Sequence, residues 1–235
     1  MQQSKSDDAS KQGGQLAFLL DLDGTLVDSV YRHVLAWQEA LQKAGLDLPG
    51  WRIHRRIGMS GGLLVRALLR ESGREMSEKE VKQIEKHHGE GYARLVGDVK
   101  PLAGAKELLA ELSRLKIPWA IVTSSTPEKA QPALKMLDLD SDAPVITRGE
   151  VQRPKPEPDP FLVGAQHLGV KIRDCAVVGD SVWDLLSAQR ARALGVGMLT
   201  GGYGREELEQ AGAYRVYQNP ADLLQHLDEL GVQDG

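Results

Sequence analysis

Two aspartates one residue apart, Asp21 and Asp23, close the apolar run LAFLL and are followed at once by Gly24 and Thr25. Like charges this close raise each other's pKa unless something positive stands between them, so the pair asks for a partner from elsewhere in the chain. Three more polar groups follow apolar runs or stand in the loops after them. Thr123 and Ser124 follow WAIV, shortly before Pro127, and hydroxyls beside the free N–H groups of a helix start make an anion site. Lys155 stands between two prolines in RPKPEPDP, which limits its backbone freedom. Asp180 and Asp184 belong to GDSVWD, directly after CAVV. Each has a bland explanation when taken singly, because Asp, Ser and Thr cap helices and alternating prolines stiffen linkers. Their recurrence at strand ends is what the bland explanations leave out.

The elements that must position these residues show in the apolar pattern. Runs at 16–21, 118–123, 175–179 and 195–199, with a short fifth at Val145 to Thr147, are continuously apolar rather than alternating. Such runs suit strands covered on both faces, hence a parallel sheet. Helical periodicity over 103–115, 127–138, 158–168, 181–193 and 220–230 fills the gaps, a β-then-α rhythm that predicts a doubly wound α/β fold. One region breaks the rhythm. Residues 29–100 hold no strand candidate, only amphipathic stretches such as VYRHVLAWQEALQKAG and a polar helix opened by a Ser77/Glu80 capping box, with the Gly-rich turn IGMSGG between them. The expected division is therefore a tail over 1–14, a core over 15–28 and 101–235, and an all-helical cap over 29–100. An insertion at a strand's carboxyl end overhangs the place where α/β sheets bind ligands.

The constellation resembles the haloacid dehalogenase superfamily. DLDGT is similar to its first motif, Thr123 to its second, Lys155 to its third and GDSVWD to its fourth, and the likeness runs through the whole chain after residue 15. The resemblance implies a Rossmann-like core with strand order 3-2-1-4-5 and a Mg²⁺ ion held by Asp21 and Asp180 side chains and the Asp23 carbonyl, with Asp184 steadying the outer shell. It implies that Asp21 attacks phosphorus to form an aspartyl-phosphate, that Asp23 serves as general acid and base, and that Thr123, Ser124 and Lys155 bind the phosphoryl oxygens. It places substrate recognition in the cap, at His33, Gly58 and Ser60. The implied partner is a small phosphorylated metabolite, phosphoglycolate or a sugar phosphate. Asp23 argues against the true dehalogenases, which lack a second Asp, while Pro154 departs from the small residue that relatives carry before the lysine.

Rival readings are narrowed by particular residues. The stretch from Tyr31 to Trp37 is similar to the β-phosphoglucomutase branch, but the loop GMSGGLL lacks that branch's phosphate-gripping Arg, and GDSVWD is not its EDSxxG. Arg55 and Arg56, nearby, are the residues that would have to supply that grip. A phospho-aspartate signalling module would be about half this length and would lack a helical insertion. A cysteine phosphatase needs Arg six residues after Cys175, where Ser181 stands, and no GxxxxGK[ST] occurs. The 235 residues carry 29 basic and 33 acidic side chains, net −4, with no basic block, so nucleic acid is not an expected partner. No apolar run approaches a membrane span, and the lone Cys175 suits a reducing compartment, so the expected location is the cytoplasm. Oligomeric state is not legible in the sequence.

Overall fold

The computed structural model describes residues 16–140 and 142–232, so the expected tail over 1–14 lies outside the described residues. Its sheet contains β1 (Ala17–Leu20), β2 (Trp119–Val122), β3 (Val145–Ile146), β4 (Cys175–Gly179), β5 (Leu194–Met198) and β6 (Ala213–Tyr217). Their order is β3-β2-β1-β4-β5-β6, and every pairing is parallel. The five expected strands are present within a residue or two. β6 is an addition, and its sequence explains why: AYRVY exposes Tyr214 and Arg215 and buries only Val216 and Tyr217, so no continuous apolar run marks it.

Continuous apolarity in the central strands has the expected cause. Phe18 and Leu20 of β1 face one layer, where α5 (Ala105–Arg114), α6 (Pro127–Met136) and α10 (Pro220–Gln225) supply Leu108, Leu112, Ala130 and Leu223. Ala17 and Leu19 face the other, against Phe161 of α7 (Asp159–His167) and Ala188 of α8 (Val182–Ala191). Cys175 is a buried strand residue whose thiol burial pushes up to about 11, which suits packing rather than chemistry. The short α9 (Arg205–Gln210), almost wholly charged, escaped the periodicity reading and covers β6 through Leu208. The last expected helix, 220–230, divides into α10 and a 3₁₀ turn at Leu227–Leu230.

Between β1 and α5 the chain forms α1 (Val30–Lys43), α2 (Gly50–His54), α3 (Gly61–Glu71) and α4 (Glu78–Leu95). These helices close around an apolar cluster of their own, including Val34, Trp37, Leu41, Ile53, Leu68 and Ile84. The Ser77/Glu80 capping box forms as the sequence requires, with Ser77 N–H donating to Glu80 at 2.7 Å. The two chain crossings between this helical unit and the sheet pair once, Asp28 N–H to the Lys100 carbonyl and Leu102 N–H to the Leu26 carbonyl, both at 2.9 Å. No helix among the described residues is long and apolar enough to cross a membrane.

Candidate active site

Sheet register brings the polar residues together. Leu20 of β1 pairs with Ile121 on one side and Val178 on the other, so Asp21, Thr123 and Asp180 emerge side by side at the carboxyl edge. Gly24 lets the chain turn sharply after Asp23: its φ is +89°, and a methyl group on it would stand 2.4 Å from an Asp180 oxygen. Carboxylates of Asp21, Asp180 and Asp184 lie within 4.8 Å of one another, all buried.

Lys155 is the positive charge nearest these acids. Its ammonium donates to Asp21 Oδ1 at 2.5 Å and to the Val122 carbonyl at 3.2 Å, and forms an ion pair with Asp184 Oδ1 at 2.7 Å. Asp184 is further held by Ser181, whose hydroxyl donates to Oδ2 at 2.6 Å, and Asp180 accepts from Thr25 at 3.1 Å. One lysine does not balance three carboxylates. Burial, opposed in part by Lys155 and reinforced by Asp184, pushes Asp21 up to about 7, and burial with the charges of Asp184 and Asp21 lifts Asp180 well above the usual carboxylate range. A buried, oxygen-only donor set with excess negative charge fits a hard divalent cation.

Asp23 has turned away from that cluster. Its carboxylate accepts from Ser29 at 2.7 Å and Ser125 at 3.3 Å and meets His33 Nε2 at 3.2 Å. Burial would raise it, but His33 and these hydroxyls outweigh burial and hold it below the usual range. His33, where the resemblance implies substrate recognition, is buried against Asp23. Its ring stacks on Tyr92 at 3.9 Å, and its Nδ1 meets His88 Nε2 at 3.1 Å. Burial first, then the neighbouring His33 and Lys129, hold His88 well below the ordinary imidazole range.

Above the acids lies a cavity of about 360 Å³ between sheet and helical unit, lined by Asp21, Asp23, His33, Gly58, Ser60, Thr123 and Ser124 among others. Gly58 also docks the helical unit on the core: its carbonyl accepts from Ser124 at 2.9 Å, and its φ is +99°. Arg55 and Arg56 do not line the cavity; Arg55 pairs with Glu207 and lies 4.5 Å over Tyr203, and Arg56 pairs with Glu71. Cations that sequence reasoning passed over, Arg66, Lys129 and Arg148, do line it, as do Glu85 and His88. No local motif marks them, because each becomes part of the site only when the helical unit folds over the sheet.

The family model for haloacid dehalogenase-like hydrolase matches residues 16–192. The chain belongs to the haloacid dehalogenase-like hydrolases. Hexitol phosphatase A of Escherichia coli K12 is 34% identical over 177 residues, 74% of this chain and 78% of its own length. Phosphoglycolate phosphatase of Neisseria meningitidis is 33% identical over 195 residues, 80% of this chain and 81% of its own. A solved hydrolase from Pseudomonas syringae superimposes with a TM-score of 0.90 at 47% identity, covering 92% of this chain and 99% of that one. This haloacid dehalogenase-like hydrolase is thus an enzyme of the family's phosphatase group, with the helical cap that its resemblance implied.

Proposed function

We propose that the protein is a Mg²⁺-dependent hydrolase of small phosphomonoesters that works through an aspartyl-phosphate on Asp21. The observation that carries this reading is the separation of two neighbouring acids into unlike environments, Asp21 among carboxylates and Lys155, Asp23 among hydroxyls and an imidazole. Environments that push two carboxyl pKa values apart assign them different roles.

Asp21 and Asp180 side chains and the Asp23 carbonyl would hold Mg²⁺, with Asp184 oriented by Ser181 behind them. When bound, the ion supplies charge stabilisation to the phosphoryl oxygens and offsets the repulsion among the acids. Asp21 attacks phosphorus, and its O–P bond forms as the ester O–P bond breaks. Asp23, protonated, gives its proton to the leaving alcohol. As the carboxylate that His33 and Ser29 favour, it then takes a proton from the water that attacks the aspartyl-phosphate, releasing inorganic phosphate and restoring Asp21. Lys155 stays bonded to Asp21 and, with Thr123 and Ser124, faces the charge that spreads over the phosphoryl oxygens.

The test is phosphate release from p-nitrophenyl phosphate with Mg²⁺, with and without a chelator. Turnover is expected to vanish with chelator, return with Mg²⁺, and fall by more than ~10³ in Asp21→Asn, because an amide does not attack phosphorus. Substantial turnover in folded Asp21→Asn would place the nucleophile elsewhere.

A further inference from the structure

One wall of the cavity is written by a single helix face. Glu85, His88 and Gly89 of α4 stand at i, i+3 and i+4, which share a face. Opposite them, Lys129 of α6 lies so close that a methyl group on Gly89 would stand 3.1 Å from its Cε. Glu85 reaches over the start of α3, where a methyl group on Gly61 would stand 2.7 Å from its Oε1. His88 is clamped flat against Trp37, ring centroids 3.8 Å apart. Its Nδ1 is buried, with no hydrogen-bond partner among the described residues.

Donor accounting says what Nδ1 requires. Asp23 only accepts, so the N–H of a neutral His33 sits on Nε2 and its Nδ1 accepts from Nε2–H of His88. Nδ1 of His88 is then a bare acceptor. A hydroxyl can donate to such an acceptor, whereas a carboxylate, which only accepts, cannot. Glu85 and Lys129 add one acceptor and one donor whose charges sum to zero. The other cations of the lining are engaged, Arg66 with Glu78 at 2.7 Å and Arg148 with the Val151 carbonyl.

We propose that Glu85, His88 and Lys129 form a hydroxyl-reading wall, so that the enzyme selects hexose and hexitol phosphates over phosphoglycolate. This rests on the phosphomonoesterase reading above and specifies its substrate. Hydroxyls along a neutral chain find a donor in Lys129, an acceptor in Glu85 and an unpaired imidazole nitrogen in His88. With Glu85 beside it, Lys129 offers no net positive charge to the carboxylate of phosphoglycolate, which Glu85 itself repels. Its two-carbon body would also leave Nδ1 of His88 unpaired, which a site built to bond a hydroxyl penalises.

The experiment measures kcat/KM with Mg²⁺ for sorbitol 6-phosphate, glucose 6-phosphate, phosphoglycolate and p-nitrophenyl phosphate. Sorbitol and glucose 6-phosphates are expected to exceed phosphoglycolate by about tenfold or more, the worth of one good hydrogen bond. Glu85→Lys, with its fold checked by circular dichroism, is expected to shrink that ratio by about tenfold or invert it, because the wall becomes cationic. Equal or better turnover of phosphoglycolate by the native enzyme would overturn the inference and leave the phosphatase reading standing. So would an unchanged ratio in folded Glu85→Lys; if that variant does not fold, the native panel decides. No phosphate release from any of the four esters would overturn both.

Discussion

Lys155 makes Asp21 and Asp184 tolerable neighbours, but it leaves net negative charge buried beside Asp180. The sign of the consequence follows from the raised carboxyls. Asp21 and Asp180 titrate higher in the folded protein than the usual carboxylate value near 4, so the folded state binds more protons than the unfolded one, for Asp21 between about pH 4 and 7. Without metal, their contribution to stability is therefore greatest below that window and is lost as pH rises through it. Mg²⁺ requires these same carboxylates deprotonated, so its binding strengthens as pH rises. The increase in Tm on adding Mg²⁺ is expected to be larger at pH 8 than at pH 5, which thermal scans with and without the ion measure. Equal increments at the two pH values would show that the ion does not sit on these acids. The grouping of Asp21, Asp180 and Asp184 was legible in DLDGT and GDSVWD, because acids at strand ends are placed by strand register alone. His88, Glu85 and Lys129 were not, since no spacing in the sequence shows which face of a cap helix meets the sheet.

Elements were legible in proportion to how completely they are buried. Central strands with apolar faces on both sides announce themselves as unbroken runs, whereas β6 at the sheet edge and the six-residue α9 carry too few buried positions to show a period. The helix α4 is the opposite case: its surface is mostly charged, yet a capping box sets its start and it presents Glu85 and His88 to the cavity. Its polar composition gives it little apolar burial to spare, so the cap carries weight. Ser77→Ala removes the acceptor for Glu80 N–H and is expected to cost about 1 kcal/mol of stability, read by urea denaturation. The same change is expected to leave chelator sensitivity intact, because the acids proposed to hold Mg²⁺ belong to the sheet edge. A loss well under the noise of the measurement would mean that α4 is held by its packing against α1 and α3 without help from the Ser77 cap.

At the scale of the molecule, the cap rests on the core through a few polar contacts around one loop. Ser124 donates to the Gly58 carbonyl, Trp183 donates to the Arg55 carbonyl at 3.3 Å, and His54 Nε2 meets the Gly201 carbonyl at 2.7 Å. Gly58 lies at the first of these, with φ at +99° and room for no side chain, since a methyl group there would stand 2.5 Å from Ser181 Oγ. The clash with Ser181 is felt only while the loop is docked. A Gly58→Ala chain relieves the clash with Ser181 by lifting the cap, and the apolar cluster inside the cap is untouched by that movement. Lifting separates the α4 wall from Asp21 and Asp23, and misplacement of reacting groups by an ångström costs up to about 10² in rate. Gly58→Ala is therefore expected to lower kcat/KM by tenfold or more for every phosphomonoester while Tm changes little. Steady-state kinetics beside a thermal scan would check this. A variant that lost stability but kept native kcat/KM would show that the docked loop supports the fold and not the chemistry.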